Sequence, residues 1–255
     1  MRSLLAFIKK ELLEGVRSGK IFIMMGMFVL FGFMNPGIAA ITPWLMDMLS
    51  ESIAATGMQI GAVTVSAVDS WAQFFKNMQM ALITFLLVYG SVFTKEYGST
   101  LVLVLTKGLA RYKIVVAKLI NMLFVWTVGY WLCYGITYVV NAIVWDNSVV
   151  PGILTSAVLW WLFGVWCIAL VVMFSTIFNG YIGVLLGTGG AVFLCYLISI
   201  IPKADKVVPT ALMNVYGIML GTEQVSELAW AIAITAVTTV AMIAASFPLM
   251  NKREV

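Results

Sequence analysis

Acid–base, nucleophilic and metal-assisted chemistry all draw on groups that this chain holds in short supply. Histidine is absent, which removes the commonest general base, the commonest zinc ligand and any Ser-His or Cys-His pair. Cys133, Cys167 and Cys195 fall inside apolar stretches with no paired spacing, as small apolar residues packed in helices do. Glu96, Asp146, Asp205, Glu223 and Glu227 lie at or beyond the ends of apolar runs. Asp69 and Lys76 flank the outer end of another run, where a solvated interface position suits them. Secondary transporters usually keep an ionisable group at mid-membrane for a proton or sodium ion, and none is expected there. A phosphate-binding G-x-x-x-x-G-K-[ST] loop is missing too: the nearest fragment, Gly19-Lys20, lacks the upstream glycine and the hydroxyl residue. Intramembrane proteolysis would need paired aspartates, a Ser-His dyad or H-E-x-x-H. The chain is therefore expected not to be an enzyme, and to hold no metal or cofactor of its own. Directed work would have to be fuelled by another chain.

The elements that must position these groups are membrane spans. Hydrophobic residues make up 62% and charged ones 10%, with a mean hydropathy of +1.04; soluble domains carry about 25% charged residues. No charge intervenes between Asp146 and Lys203. A bilayer core about 30 Å thick takes roughly 20 apolar helical residues to cross. The predicted fold is all-α, with six transmembrane helices preceded by an N-terminal amphipathic helix over residues 1–19. The spans are predicted at Ile21–Met46, Trp71–Phe93, Leu119–Trp145, Ile153–Thr176, Tyr181–Ile201 and Leu228–Met250. Pro36 inside the first frees a backbone carbonyl that a neighbour must satisfy. In the N-terminal helix Leu5, Ile8, Leu12 and Val16 form the expected apolar stripe, with Lys9, Lys10, Glu14 and Arg17 largely off it; Glu11 joins these four as an expected interfacial-helix residue. Such a helix lies along the headgroups with its basic stems snorkelling. A signal peptide is the alternative, but Lys9-Lys10-Glu11 breaks the apolar run and no small-residue cleavage site follows.

Lys and Arg set the orientation. With both termini cytoplasmic, the inner side holds Arg2, Lys9, Lys10, Arg17, Lys20, Lys95, Lys107, Arg111, Lys113, Lys118, Lys252 and Arg253. The outer side holds only Lys76, Lys203 and Lys206, a strong positive-inside bias. Trp44, Trp71, Trp145 and Trp230 sit at predicted outer ends, as an aromatic belt should. The net charge of +4 thus sorts by membrane side and is no nucleic-acid signature. Residues 94–118 (TKEYGSTLVLVLTKGLARYKIVVAK) are too polar at their ends to span and too apolar within to float free. A short surface helix followed by a turn at Lys107–Ala110 could dock on a soluble partner; equally, its basic residues could anchor the loop to anionic lipid.

Three patterns carry a family resemblance: K-K-E-L-x-E-x-x-R-S-x-K in the N-terminal helix, Glu96-Tyr97-Gly98-Ser99-Thr100, and K-G-x-x-R-x-K-I-x-x-x-K from Lys107. In this layout the chain resembles the permease subunits of type-2 ATP-binding-cassette (ABC) exporters, especially the compact six-span kind of bacterial antibiotic-resistance and peptide-export operons. The resemblance implies an elbow helix over 1–19 and a six-span domain over 20–255. It also implies a coupling loop within 94–118 and an outer, partly re-entrant segment within 202–227, centred on Val208–Leu220. The ATPase-coupling residues would be Lys95, Glu96, Tyr97, Gly98, Ser99, Thr100, Lys107 and Arg111. A second contact would form at Asn179, Gly180 and Tyr181. Two copies of a separate ATPase, carrying ATP and Mg, and a second copy of the permease are the implied partners.

Gly183-x-x-x-Gly187 matches a close-packing motif, serving either packing within one subunit or a dimer interface and path wall. The few polar residues nearby suit a hydrophobic or amphipathic cargo, of which antimicrobial and secreted peptides are examples. The expected function is ATP-driven export across the bacterial plasma membrane by a multi-pass protein. The alternative is a non-transporting immunity or assembly factor that binds a partner in the bilayer.

Overall fold

The computed structural model describes residues 2–54, 64–91 and 111–252. Among them the regular structure is all helical: α1 (Arg2–Arg17), α2 (Lys20–Ala54), α3 (Ala67–Tyr89), α4 (Arg111–Val144), α5 (Ile153–Ile177), α6 (Tyr181–Ser199), α7 (Tyr216–Met219) and α8 (Ala229–Lys252). Short 3-10 helices occupy Asn147–Val149, Pro209–Met213 and Val225–Leu228. Five helices among the described residues are long and apolar enough to cross a membrane: Lys20–Ser50, Arg111–Val144, Ile153–Ile177, Tyr181–Ser199 and Val225–Asn251. The chain is thus compatible with a multi-pass membrane protein. α3, expected as the second of six spans, has the length at 23 residues. Asp69, Gln73, Lys76, Asn77 and Gln79 lower the apolarity of its first turns.

Local chemistry explains the boundaries. α1 ends where Gly19 takes φ +74, the left-handed turn a glycine makes without a Cβ penalty. α2 runs past the expected end at Met46, because no helix breaker follows Pro43 before Ala54 and Ser50 Oγ donates back to the Asp47 carbonyl. α3 starts earlier than expected because Ser66 and Asp69 form a reciprocal capping box: Ser66 Oγ accepts from Val68 N at 3.2 Å, and Asp69 Oδ2 accepts from Ser66 N at 2.9 Å. α4 begins at Arg111 rather than Leu119 and so absorbs the last basic turns of the expected loop.

α4 and α5 sit at the centre. α2, α3 and α1 pack on α4, α8 packs on α5, and α6 lies outermost with only Val184 and Thr188 fully buried. Close approach is made by rings set against glycines. A Cβ on Gly129 would come within 2.2 Å of the Phe28 ring, and one on Gly164 within 2.2 Å of Trp126. Small residues admit this in a membrane interior, where dispersion and hydrogen bonds replace the hydrophobic drive. Hydrogen bonds then pin α4 to α5: Tyr130 Oη donates to Ala157 O at 2.7 Å and Trp126 Nε1 to Trp161 O at 3.3 Å.

The face of α1 that packs differs from the expected stripe. Leu5 and Val16 are exposed, whereas Phe7, Glu11 and Gly15 are buried against the bundle. The cause is Glu11, a charged residue turned inward because its counter-charge lies there. The chain from Val208 to Leu220 forms two short helical pieces interrupted at Asn214–Val215. Its Val208, Leu212, Val215, Ile218 and Met219 are buried, and it packs over α5 and α8.

Candidate functional site

At the end of the bundle carrying α1, two lysines hold α1 against the base of α4. Lys113 Nζ donates to Ser3 Oγ at 3.0 Å. About one and a half turns further along α4, Lys118 Nζ reaches Glu11 Oε2 at 3.3 Å. This pair is sealed, with Lys118 2% and Glu11 4% exposed. The other Glu11 oxygen accepts from Lys10 Nζ at 3.1 Å, and Lys10 also meets Glu14 at 2.8 Å and lies 5.2 Å from the Phe7 ring centre. Removing one partner of a buried ion pair strands the other charge, at a cost of about 3–5 kcal/mol. α1 is therefore latched to α4 rather than merely laid beside it.

Of the expected coupling residues, Lys95, Glu96, Tyr97, Gly98, Ser99, Thr100 and Lys107 lie outside the described residues. The chain on either side of them is well anchored. Arg111 donates through Nη1 to the carbonyls of Met250 and Asn251, at 3.2 and 3.4 Å. These are terminal acceptors of α8, where a cation also meets the negative end of the helix dipole. On the preceding side, Tyr181 Oη donates to the Leu87 carbonyl of α3 at 2.7 Å. Tyr181 belongs to the second expected contact: Asn179 and Gly180 form the turn between α5 and α6, and Gly180 supplies the extended N-cap of α6. One end of the bundle thus gathers α1, the start of α4, the end of α8, the end of α3 and the α5–α6 turn. Lys9 and Arg17 are exposed on α1. Gly183 and Gly187 lie against the Phe178 and Phe174 rings, so that a Cβ would meet them at 3.0 and 2.9 Å.

Deeper in the bundle a polar node joins three helices. Asn35 Nδ2 donates to Thr137 Oγ1 at 3.1 Å, while Asn35 Oδ1 accepts from Asn77 Nδ2 at 2.7 Å. Gln73 Nε2 extends the chain to Asn77 Oδ1 at 3.4 Å. Thr137 Oγ1 in turn donates to Gly32 O at 3.1 Å. Gly32 is four residues before Pro36, so its carbonyl is the acceptor that the missing proline N–H leaves without a helical partner. The node supplies the substitute donor. One turn beyond Thr137, Asn141 is fully buried and neither amide atom has a partner among the described residues; Ser70 Oγ on α3 is in the same state. Burial without a partner is rare in native interiors.

The opposite end is built from irregular chain. Trp71 Nε1 donates to Asn147 Oδ1 at 3.1 Å, Gly152 N to Met219 O at 3.1 Å, and Lys206 pairs with Glu227. Asp146 caps the turn after α4; the hydroxyl and the backbone N–H of Ser148, in that order, hold its carboxyl below the usual range. Beside this end lies a cavity of about 410 Å³ walled by Asp69, Ala72, Phe75, Lys76 and Gln79 of α3 and by Met213–Tyr216.

No protein-family model matches the chain, and no curated protein is similar to it. The residues themselves must therefore carry the functional reading. Sequence reasoning missed the Glu11–Lys118 pair, the Asn35 node and the weight of Lys76. One signal was available: Asp69, Gln73, Lys76 and Asn77 recur at helical spacing inside an otherwise apolar run. Among the described residues no group of His, Cys, Asp and Glu could hold a metal ion.

Proposed function

We propose that this chain is the permease subunit of an ATP-driven ABC exporter, moving a hydrophobic or amphipathic substrate across a bacterial plasma membrane. Two copies dimerise and pair with two copies of a separate ATPase, which supplies ATP and Mg chemistry. α2, α3, α4, α5, α6 and α8 are its six spans, and both termini are cytoplasmic. α3 is included because its 23 residues reach about 34 Å, enough for a core of about 30 Å. Its polar residues also have uses: Asn77 and Gln73 bond toward Asn35, and Asp69 caps the helix. α1 is the elbow at the inner headgroups.

The observation that carries this reading is the anchoring around segment 92–110. Tyr181 and Arg111 bind α3 to the α5–α6 turn and α4 to α8, and Glu11–Lys118 binds α4 to α1. A push on that segment from a soluble partner would reach the elbow and most spans together. Sequence supplies the other half: with no phosphate loop and no His, the force has to come from outside. The test is affinity purification of the full chain from its native membranes in mild detergent. A nucleotide-hydrolysing subunit in equal amount is the expected companion; recovery of the chain with an inert membrane partner alone would instead favour the immunity or assembly reading.

A further inference from the structure

Lys76 is a charge within an expected span that the export reading leaves unused. It is exposed, and no ion pair or hydrogen bond engages it among the described residues. It lies five residues past Trp71, about 7.5 Å further along α3. In a six-span bilayer protein, on which this inference rests, that depth is inside the membrane. A charge left against lipid there is costly, so such residues face a cavity or a partner. Lys76 does face one: it walls the 410 Å³ cavity between α3 and Met213–Tyr216. The other charge on that wall, Asp69, is already engaged through Oδ2 by the backbone and hydroxyl of Ser66.

A second cavity, of about 220 Å³, adjoins the first; Gln79 and Met213 line both. Its wall is otherwise almost wholly apolar and runs between α3, α5 and α6, with Leu82, Leu86, Trp160, Phe163 and Val192 among its residues. Trp160 and Thr188 on this wall each carry a buried polar hydrogen with no partner among the described residues, a condition that native interiors rarely keep when complete. Together the cavities fall in the range of about 300–1,000 Å³ usual for small-molecule sites. Their order is cationic first, then apolar.

We propose that the two cavities form one binding site for an anionic amphiphile, with its head group on Lys76 and its apolar chain between α3, α5 and α6. This deepens the export reading by naming the cargo class: a carboxylate or similar anion carried on a hydrocarbon or apolar peptide chain. Lys76 selects the head group, and the Trp160 wall accepts the tail.

The test is direct binding by the purified full chain in lipid nanodiscs, with no ATPase present. The probes are a brominated octadecanoate, its methyl ester and a brominated alkyl trimethylammonium, read by quenching of tryptophan fluorescence. The octadecanoate should quench saturably, and most of that quenching should vanish in Trp160→Phe. Half-saturation should rise about tenfold or more for the ester, for the ammonium and for Lys76→Gln, the scale of a lost charge-assisted hydrogen bond. Lys76→Arg should bind close to wild type. Competition by an apolar peptide with a free C-terminal carboxylate, but not by its amidated form, would assign the anion to a peptide; competition by octadecanoate alone would assign it to a lipid. Equal binding of acid and ester by the wild-type protein overturns the proposal without any variant having to fold. So does quenching that survives Trp160→Phe. Head-group-blind binding alongside intact ATPase coupling removes this site alone, whereas selective binding by a chain that pairs with no ATPase removes the transport reading alone.

Discussion

Lys118 and Lys76 stand on neighbouring helices of one bundle and have opposite surroundings. Lys118 is closed off with Glu11 at 3.3 Å, and its pair holds α1 to α4. Lys76 opens onto a cavity and has no partner among the described residues. A charge matched inside the chain is a structural fastening, which can be broken but offers nothing to a ligand. A charge left unmatched points outward, toward something that binds. The same division runs through the amides. Asn35 is satisfied by Thr137 and Asn77, and Thr137 fills the gap left by Pro36, while Asn141 has no partner among the described residues.

Breaking the matched charge should give the largest effect. Glu11→Ala or Lys118→Ala should lose about 3–5 kcal/mol of stability, seen as a lower unfolding temperature in detergent and poor recovery of monodisperse protein. Glu11→Leu combined with Lys118→Met should lose far less, because no charge is stranded. If each single change is as mild as the double, the pair does not latch α1. Next comes the node: Asn35→Leu should cost about 1–2 kcal/mol by leaving Thr137 and Asn77 short of a partner. An unchanged melting temperature would mean that the node contributes nothing net. Lys76→Gln strands no partner charge and should cost no more than about 0.5 kcal/mol, and an equal loss at both lysines would erase the distinction between them.

The smallest effect belongs to Lys206 and Glu227, an exposed pair at the irregular end. Lys206, through its hydrogen bond and its charge, holds the Glu227 carboxyl below its usual range, and Glu227 raises the Lys206 ammonium above its own. The Glu227 share is present above the ordinary carboxylate range and is lost as pH falls through its lowered value. The Lys206 share is present below the ordinary lysine range and is lost as pH rises through its raised value. Amide protection over 201–228, taken relative to intrinsic exchange at each pH, should therefore be greatest near neutral pH, by a small margin that added salt reduces. A margin that persists at high salt would contradict this pairing.

Sequence made the helices legible because apolar length and proline, glycine and lysine positions are local signals. Even the need for a substitute donor at Pro36 could be read, since it follows from one missing N–H. The identity of that donor could not: Thr137 lies on another helix, and its facing is a matter of tertiary packing. Glu11 and Lys118 lie on different helices, so their pairing is likewise a matter of tertiary packing. The capping box at Ser66–Asp69 was local and readable, yet the apolar run at Trp71 drew the boundary instead. Gln73, Lys76 and Asn77 share one face of α3 at helical spacing, a pattern that Lys76 taken alone does not reveal.

The central claim is that force enters from a nucleotide-hydrolysing partner through the segment between α3 and α4. Its most direct measurement is ATP turnover by the complex isolated from native membranes, comparing wild type with Glu96→Ala and Gly98→Pro. The account predicts that cargo-stimulated turnover is lost in both variants, while both remain membrane-inserted and monodisperse. Turnover unchanged in both, or cargo flux driven by a pH or sodium gradient through the chain alone in liposomes, would contradict it.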